Sequence, residues 1–136
     1  MSPYTMSANF PSKSFKAQVI HGRKMGKKFG FPTINLDNPR ILSGFDNGVY
    51  AAFVAIEGKN YQGLLYKGPR LILGETATVL EIYLMNFNRE IYGQTISFKI
   101  FDFIREVISF PNIEDFKKQL EKDIKLAQNI FRTSKD

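Results

Sequence analysis

Between Phe15 and Phe103 apolar side chains return at every second position in short runs, each closed by glycine, proline or asparagine. Only after Pro111 does the period lengthen to three and four. A chain written this way is committed to short antiparallel strands followed by one helix. Residues 15–20 read as a first strand. Residues 33–36 are extended after Pro32, and Asp37-Asn38-Pro39 breaks them. Residues 48–56 and 61–66 form a hairpin joined through Glu57-Gly58-Lys59-Asn60, and Gly68-Pro69-Arg70 ends its second strand. Residues 78–87 give a long strand with Glu81 inside it. A turn over residues 88–93 leads to residues 95–103, where Ile96, Phe98 and Ile100 alternate with polar neighbours, one face buried and one wet.

In the last segment Ile113, Phe116, Leu120, Ile124 and Ala127 make a helical stripe. Asn112 is its N-cap, with Asp115 three residues on, and Glu121 to Lys125 is a favourable i, i+4 pair. The stripe reads as packing against the core, without chemistry of its own. Five or six strands with short turns favour a closed, mainly β, antiparallel barrel carrying one C-terminal helix. The 136 residues, 43% hydrophobic and rich in phenylalanine, suffice for one domain. Residues 1–14 are expected to be a flexible lead-in, 15–131 the barrel domain and 132–136 a tail.

Composition removes several chemistries. There is no cysteine, hence no disulfide, thiolate metal site or cysteine nucleophile, which suits a reducing cytoplasm. The single histidine, His21, cannot furnish a two-histidine metal site and reads as a polar strand end. No apolar run reaches membrane-spanning length. The net charge of +6 is gathered early. Lys13, Lys16, Arg23, Lys24, Lys27, Lys28 and Arg40 face one acid, Asp37, over that stretch, an asymmetry that favours an anionic partner.

That basic stretch contains the chemistry. Residues 22–36 hold Gly22, Gly26 and Gly30 among Arg23, Lys24, Lys27 and Lys28, then run into Pro32-Thr33-Ile34-Asn35. Glycines let backbone approach a bulky anion, and N–H groups with flanking cations suit a polyphosphate. The spacing is neither a Walker A nor a dinucleotide fingerprint, and composition alone fits a basic surface loop equally well. Alternation puts Thr33 and Asn35 on one strand face, two neutral oxygens able to hold Mg²⁺ if phosphates and waters complete the shell, with Ile34 directed to the core. Glu81 shares a mixed face with Val79 and Tyr83, and reads either as a general base in a barrel mouth or, on spacing alone, as a solvent-facing strand acid. Arg105 fits an anion or ring clamp, or more simply a salt bridge to Glu106 or Glu114.

With these residues in order, the chain resembles the riboflavin kinase domain. That domain is the flavokinase half of bacterial bifunctional riboflavin kinase/FAD synthetases and the stand-alone eukaryotic enzyme. The likeness rests on His21-Gly22, the run from Gly26-Lys27-Lys28 through Gly30-Phe31-Pro32-Thr33-Ile34-Asn35-Leu36, Gly48-Val49-Tyr50, Leu80-Glu81-Ile82, Ile91-Tyr92-Gly93 and Ile104-Arg105. It implies a six-stranded Greek-key barrel and transfer of the γ-phosphate of ATP to the ribityl 5′-hydroxyl of riboflavin, giving FMN and ADP. By position it implies that Thr33 and Asn35 contact Mg²⁺ and the phosphates, and that Gly22, Gly26, Lys27 and Gly30 form a flap over ATP. Glu81 would be the base, and Arg105 would lie near the flavin. The sites are expected to meet in a cavity at the barrel's open end, in a monomer. Ile34 stands where the family usually has alanine, and Gly68-Pro69-Arg70-Leu71 replaces its usual Pro-Thr pair. The adenylyltransferase half finds no counterpart, so this chain is expected not to make FAD. The rivals are a small barrel binding nucleic acid through Phe29, Phe31 and Tyr50, and a flavin binder without catalysis.

Overall fold

The computed structural model describes residues 13–22 and 30–133. Six strands, β1 (Phe15–Ile20), β2 (Thr33–Leu36), β3 (Gly48–Ile56), β4 (Lys59–Pro69), β5 (Thr78–Leu84) and β6 (Thr95–Arg105), precede helix α1 (Ile113–Thr133). The strands close in the order β1-β2-β5-β4-β3-β6, every pairing antiparallel. Strands β3, β4 and β5 form a meander and β6 returns beside β3, which makes the Greek key. Among the described residues every strand has a neighbour on both sides, although β1 meets β2 only at Val19 and Ile20.

The β3–β4 turn is tighter than its sequence suggests. Ile56 pairs with Lys59, so only Glu57 and Gly58 turn, with φ of 51° and 79°. Two positive φ values give the primed turn whose twist matches the strands, and Gly58 accepts one without strain. Strand β5 ends at Leu84, short of the expected residue 87, where Asn86 takes φ 58° and turns the chain.

The barrel interior is filled. Tyr50, Leu65, Leu80, Ile82, Ile96, Phe98 and Ile100 meet there at 2% exposure or less. One end is plugged by the 3-10 turn Pro39–Leu42 and the residues after it: Leu42 is fully buried, and Phe45 packs edge-on against Phe15 and Tyr50. Lys67 is buried too, its Nζ donating to the carbonyls of Leu42 at 2.9 Å and Phe45 at 2.5 Å, which ties the plug to β4. A second core lies outside the barrel under the C-terminal half of α1. Ala127, Ile130 and Phe131 pack there on Val49, Ala51, Leu64, Met85 and Phe101. Strand β3 is therefore buried on both faces, and it reads as an unbroken apolar run for that reason. Asn112 caps α1 as its sequence suggests, its Oδ1 accepting the Asp115 N–H at 2.8 Å.

Two bulges in β6 settle the direction of Arg105. The β3–β6 register shifts between Ala51 and Ala52 and again between Val49 and Tyr50, leaving Phe101 and Ile104 as extra residues. Each bulge resets the alternation of faces. Phe101, Ile104 and Arg105 consequently all turn toward α1.

Candidate active site

Strand alternation assigns the faces of β2 and β5. Leu36, Leu80 and Ile82 point inward, so Thr33, Asn35 and Glu81 point outward. Asn35 is paired directly with Glu81, and Thr33 lies one diagonal step away. The Thr33 hydroxyl donates to Glu81 Oε1 at 3.0 Å. The three expected residues do converge, but not at an open barrel end. The interior has no room for a substrate, and the cluster stands on the outer wall, sheltered by the loop after β4.

The key residue of that loop, Arg70, is one that the sequence leaves unassigned. Its Nη2 donates to Asn35 Oδ1 at 2.6 Å, its Nε lies 3.4 Å from Glu81 Oε2, and its Nη1 lies 3.5 Å from Glu75 Oε1. One guanidinium thus joins the amide of β2 to the carboxylate of β5. The only sequence signal was an arginine set between a strand-ending Gly-Pro and the apolar Leu71-Ile72-Leu73. Gly22 is brought to the same place: a Cβ there would lie 2.2 Å from Asn35 Cγ, so only glycine allows this approach.

Two concavities flank the cluster, and Arg70 lines both. One is the more polar of the two, bounded by His21, Gly22, Asn35 and the Asp37-Asn38-Pro39 turn together with apolar Leu36 and Val79. His21 is stacked on Tyr92 beside it, ring centroids 3.8 Å apart. The other is an apolar slot between the outer wall and the start of α1, with Phe31, Tyr83, Phe110, Phe116 and Leu120 among its walls. Glu81 and Thr33 sit at its edge. The first half of the helical stripe, expected to be plain packing, therefore lines a slot, while the second half is core.

Tyr66, opposite Glu81 on β4, donates its hydroxyl to the Pro69 carbonyl. Burial, reinforced by the Glu81 carboxylate, pushes its phenol up to about 12, against the weaker lowering effect of Arg105 and Arg70. It stays a neutral donor that pins the start of the Arg70 loop.

Arg105 also reaches the apolar slot, with a partner other than those expected. Its Nε lies 3.0 Å from both Asp123 oxygens and its Nη2 2.8 Å from Oδ2, while Gln119 adds a 2.9 Å bond to Oδ1. Nη1 donates to the Glu106 carbonyl, and the guanidinium lies 5.9 Å from the Phe110 ring centre. Gly30, φ 89°, enters the turn before Phe31 and lines neither concavity. Gly26 and Lys27 lie outside the described residues, as does Phe29. Of the other aromatics considered for nucleic-acid stacking, Tyr50 is 2% exposed in the core and Phe31 packs edge-on to Tyr83.

Among the described residues no three His, Cys, Asp or Glu side chains converge as a metal cage, and no helix is long and apolar enough to cross a membrane. Thr33 Oγ1 and Asn35 Oδ1 are neutral oxygen donors beside a carboxylate, a set that fits a hard cation sharing its shell with phosphate.

A Greek-key barrel with one packed helix, a polar cluster on its outer wall and a concavity on either side defines a single barrel domain with a candidate site on its outer wall. The chain belongs to the riboflavin kinase family: the family model Flavokinase (riboflavin kinase) matches residues 11–131. It is 34% identical over 131 residues to the bifunctional riboflavin kinase/FMN adenylyltransferase of Haemophilus influenzae, covering 94% of this chain and 42% of that protein. It is 35% identical over 114 residues to the RNA-binding riboflavin kinase RibR of Bacillus subtilis, covering 83% of this chain and 49% of that one. The chain thus spans less than half of either relative. The crystal structure of riboflavin kinase from Trypanosoma brucei shares the fold, with a TM-score of 0.64 at 19% identity over 88% of this chain and 79% of that one.

Proposed function

We propose that this chain transfers the γ-phosphate of ATP to the 5′-hydroxyl of riboflavin, releasing FMN and ADP. The observation that carries the reading is the placement of the Thr33–Glu81–Arg70–Asn35 cluster at the seam between an apolar slot and a second, more polar concavity. A tricyclic flavin suits the slot walled by Phe31, Tyr83, Phe116 and Leu120, and leaves its ribityl tail directed to Glu81. The more polar concavity beside Gly22 suits the nucleotide. Family membership supports the same assignment.

Phosphoryl transfer asks for in-line positioning and charge neutralisation more than for covalent chemistry by the protein. Glu81 accepts the hydroxyl proton, a contribution of roughly 10²–10⁴-fold. The Thr33 hydroxyl, bonded to Oε1, fixes the rotamer of that carboxylate. Gly22 leaves the room that the Asn35 amide occupies, and Gly26, Lys27 and Gly30 belong to the flap over the nucleotide. Thr33 and Asn35 would hold Mg²⁺, which when bound neutralises phosphate charge. Arg105, its fork taken by Asp123, supports the flavin end of the slot through its position beside Phe110 and not as a phosphate clamp. We further infer a cytoplasmic monomer without a nucleic-acid partner. The RNA binding in the RibR name belongs to a protein of which half lies beyond the match. Incubation of purified protein with riboflavin and Mg-ATP, followed by chromatography of the flavins, should yield FMN and ADP in equal amounts. Riboflavin binding without FMN would reduce the chain to a flavin binder. Strongly salt-dependent RNA binding without riboflavin consumption would favour the nucleic-acid barrel.

A further inference from the structure

We propose that Arg70 is a cationic placeholder: its guanidinium occupies the Asn35 and Glu81 oxygens until metal-bound nucleotide displaces it, and it then turns to the nucleotide's phosphates. This rests on the reading above in which Thr33 and Asn35 hold the metal. The Arg70–Asn35 bond is short at 2.6 Å, whereas the approaches to Glu81 and Glu75 are long at 3.4 and 3.5 Å. The guanidinium therefore leans on the one amide oxygen that a cation at β2 would need. A divalent ion and a guanidinium cannot both sit against that oxygen without strong repulsion in a half-buried setting.

The backbone under Arg70 is anchored, while its side chain is held by one close bond and two long approaches. The Arg70 carbonyl accepts the N–H groups of Leu73 at 3.0 Å and Glu75 at 3.2 Å, which anchors the turn. From that anchor the long side chain reaches both concavities, so a pivot away from Asn35 needs no backbone movement. Phosphates bring the charge that makes the pivot favourable, because a planar fork pairs well with phosphate oxygens. The consequence is an ordered site: metal alone is opposed, and metal with nucleotide is accepted. A static brace predicts the opposite sign, since its loss would loosen Asn35 and weaken every cation there.

The test is a Mn²⁺ titration of the purified full chain, read by the free-ion paramagnetic resonance signal, with and without ADP. Arg70→Gln should tighten Mn²⁺ alone by about tenfold or more and weaken Mn²⁺-ADP by about tenfold. Arg70→Lys, which retains charge but not the fork, should fall between wild type and Arg70→Gln in both, and it carries the test if the glutamine variant fails to fold. Unchanged or weaker Mn²⁺ binding in both Arg70 variants, with Asn35→Ala still impairing Mn²⁺-ADP, would overturn the placeholder and leave the metal reading standing. Asn35→Ala without effect on Mn²⁺-ADP would sink the metal reading and the placeholder together.

Discussion

Arg70 and Arg105 border the same slot and are held in opposite ways. Arg105 meets an Asp123 that is 2% exposed, through three N–O approaches of 2.8–3.0 Å with Gln119 behind it. Every partner is close, and the pair joins β6 to α1. Arg70 touches three different groups, only one of them closely, at a seam open to two concavities. Saturated geometry marks an arginine that holds the fold, and divided geometry marks one that can exchange partners. In the sequence only the family resemblance marks Arg105 as a flavin-site residue, while its neighbours Glu106 and Glu114 suggest a plain salt bridge and Arg70 is left unassigned.

If the Arg70 end is chemical and the Arg105 end structural, perturbations should separate cleanly. The largest effect is expected at the chemical end: Glu81→Gln should lower kcat by roughly 10²–10⁴-fold, with riboflavin binding and thermal midpoint retained. Near-normal turnover would remove Glu81 from the base role. At the structural end, Asp123→Ala leaves a largely buried guanidinium without its carboxylate, with only the Glu106 carbonyl remaining, and should destabilise by about 3–5 kcal/mol in urea unfolding. A loss below 1 kcal/mol would show that Arg105 finds water instead.

Between the two ends, Phe116→Ala removes one wall of the slot and leaves both arginines in the chain. It should raise KM for riboflavin about tenfold, the scale of a lost aromatic contact, while kcat stays close to wild type. An unchanged KM would mean that the flavin lies elsewhere. The smallest effect concerns Tyr66, which pins the Arg70 loop. Its phenol is raised to about 12, so the folded chain keeps a proton that the unfolded chain loses near pH 10. That contribution is complete below pH 10 and fades as pH rises toward 12. Tyr66→Phe should flatten this alkaline decline, and an identical pH profile in the variant would deny the link.

Much of this was legible in the sequence, for reasons that also explain the omissions. Period-two alternation placed Ile34 inward and put Thr33 with Asn35, and it marked the face of Glu81 as mixed. It could not say that the interior would be full, because the residues that plug it, Leu42 and Phe45, lie in a non-periodic segment, and Lys67 looks like a surface lysine until its two carbonyl partners are seen. The candidate cluster therefore stands on the outer wall, not in a barrel mouth. The helix stripe looked uniform, yet Phe116 and Leu120 fall beyond the barrel contact while Ala127 and Ile130 fall within it. Arg105 had nearby acids in sequence, but the bulges in β6 aim it at Asp123, and bulges leave no clear mark in composition. Arg70 is left unassigned because two of its three partners, Asn35 and Glu81, lie 35 residues upstream and 11 downstream, a proximity created only by closing β2 onto β5.

The most direct test of the spatial claim is a crystal structure of the protein with riboflavin and Mg-ADP. The flavin ring is expected in the slot between the outer wall and α1. The ribityl 5′-oxygen is expected within hydrogen-bond reach of the Glu81 carboxylate, roughly 2.6–3.2 Å, with the nucleotide on the Gly22 side. A flavin bound away from that slot, or a 5′-oxygen out of reach of Glu81 with both ligands in place, would contradict that claim.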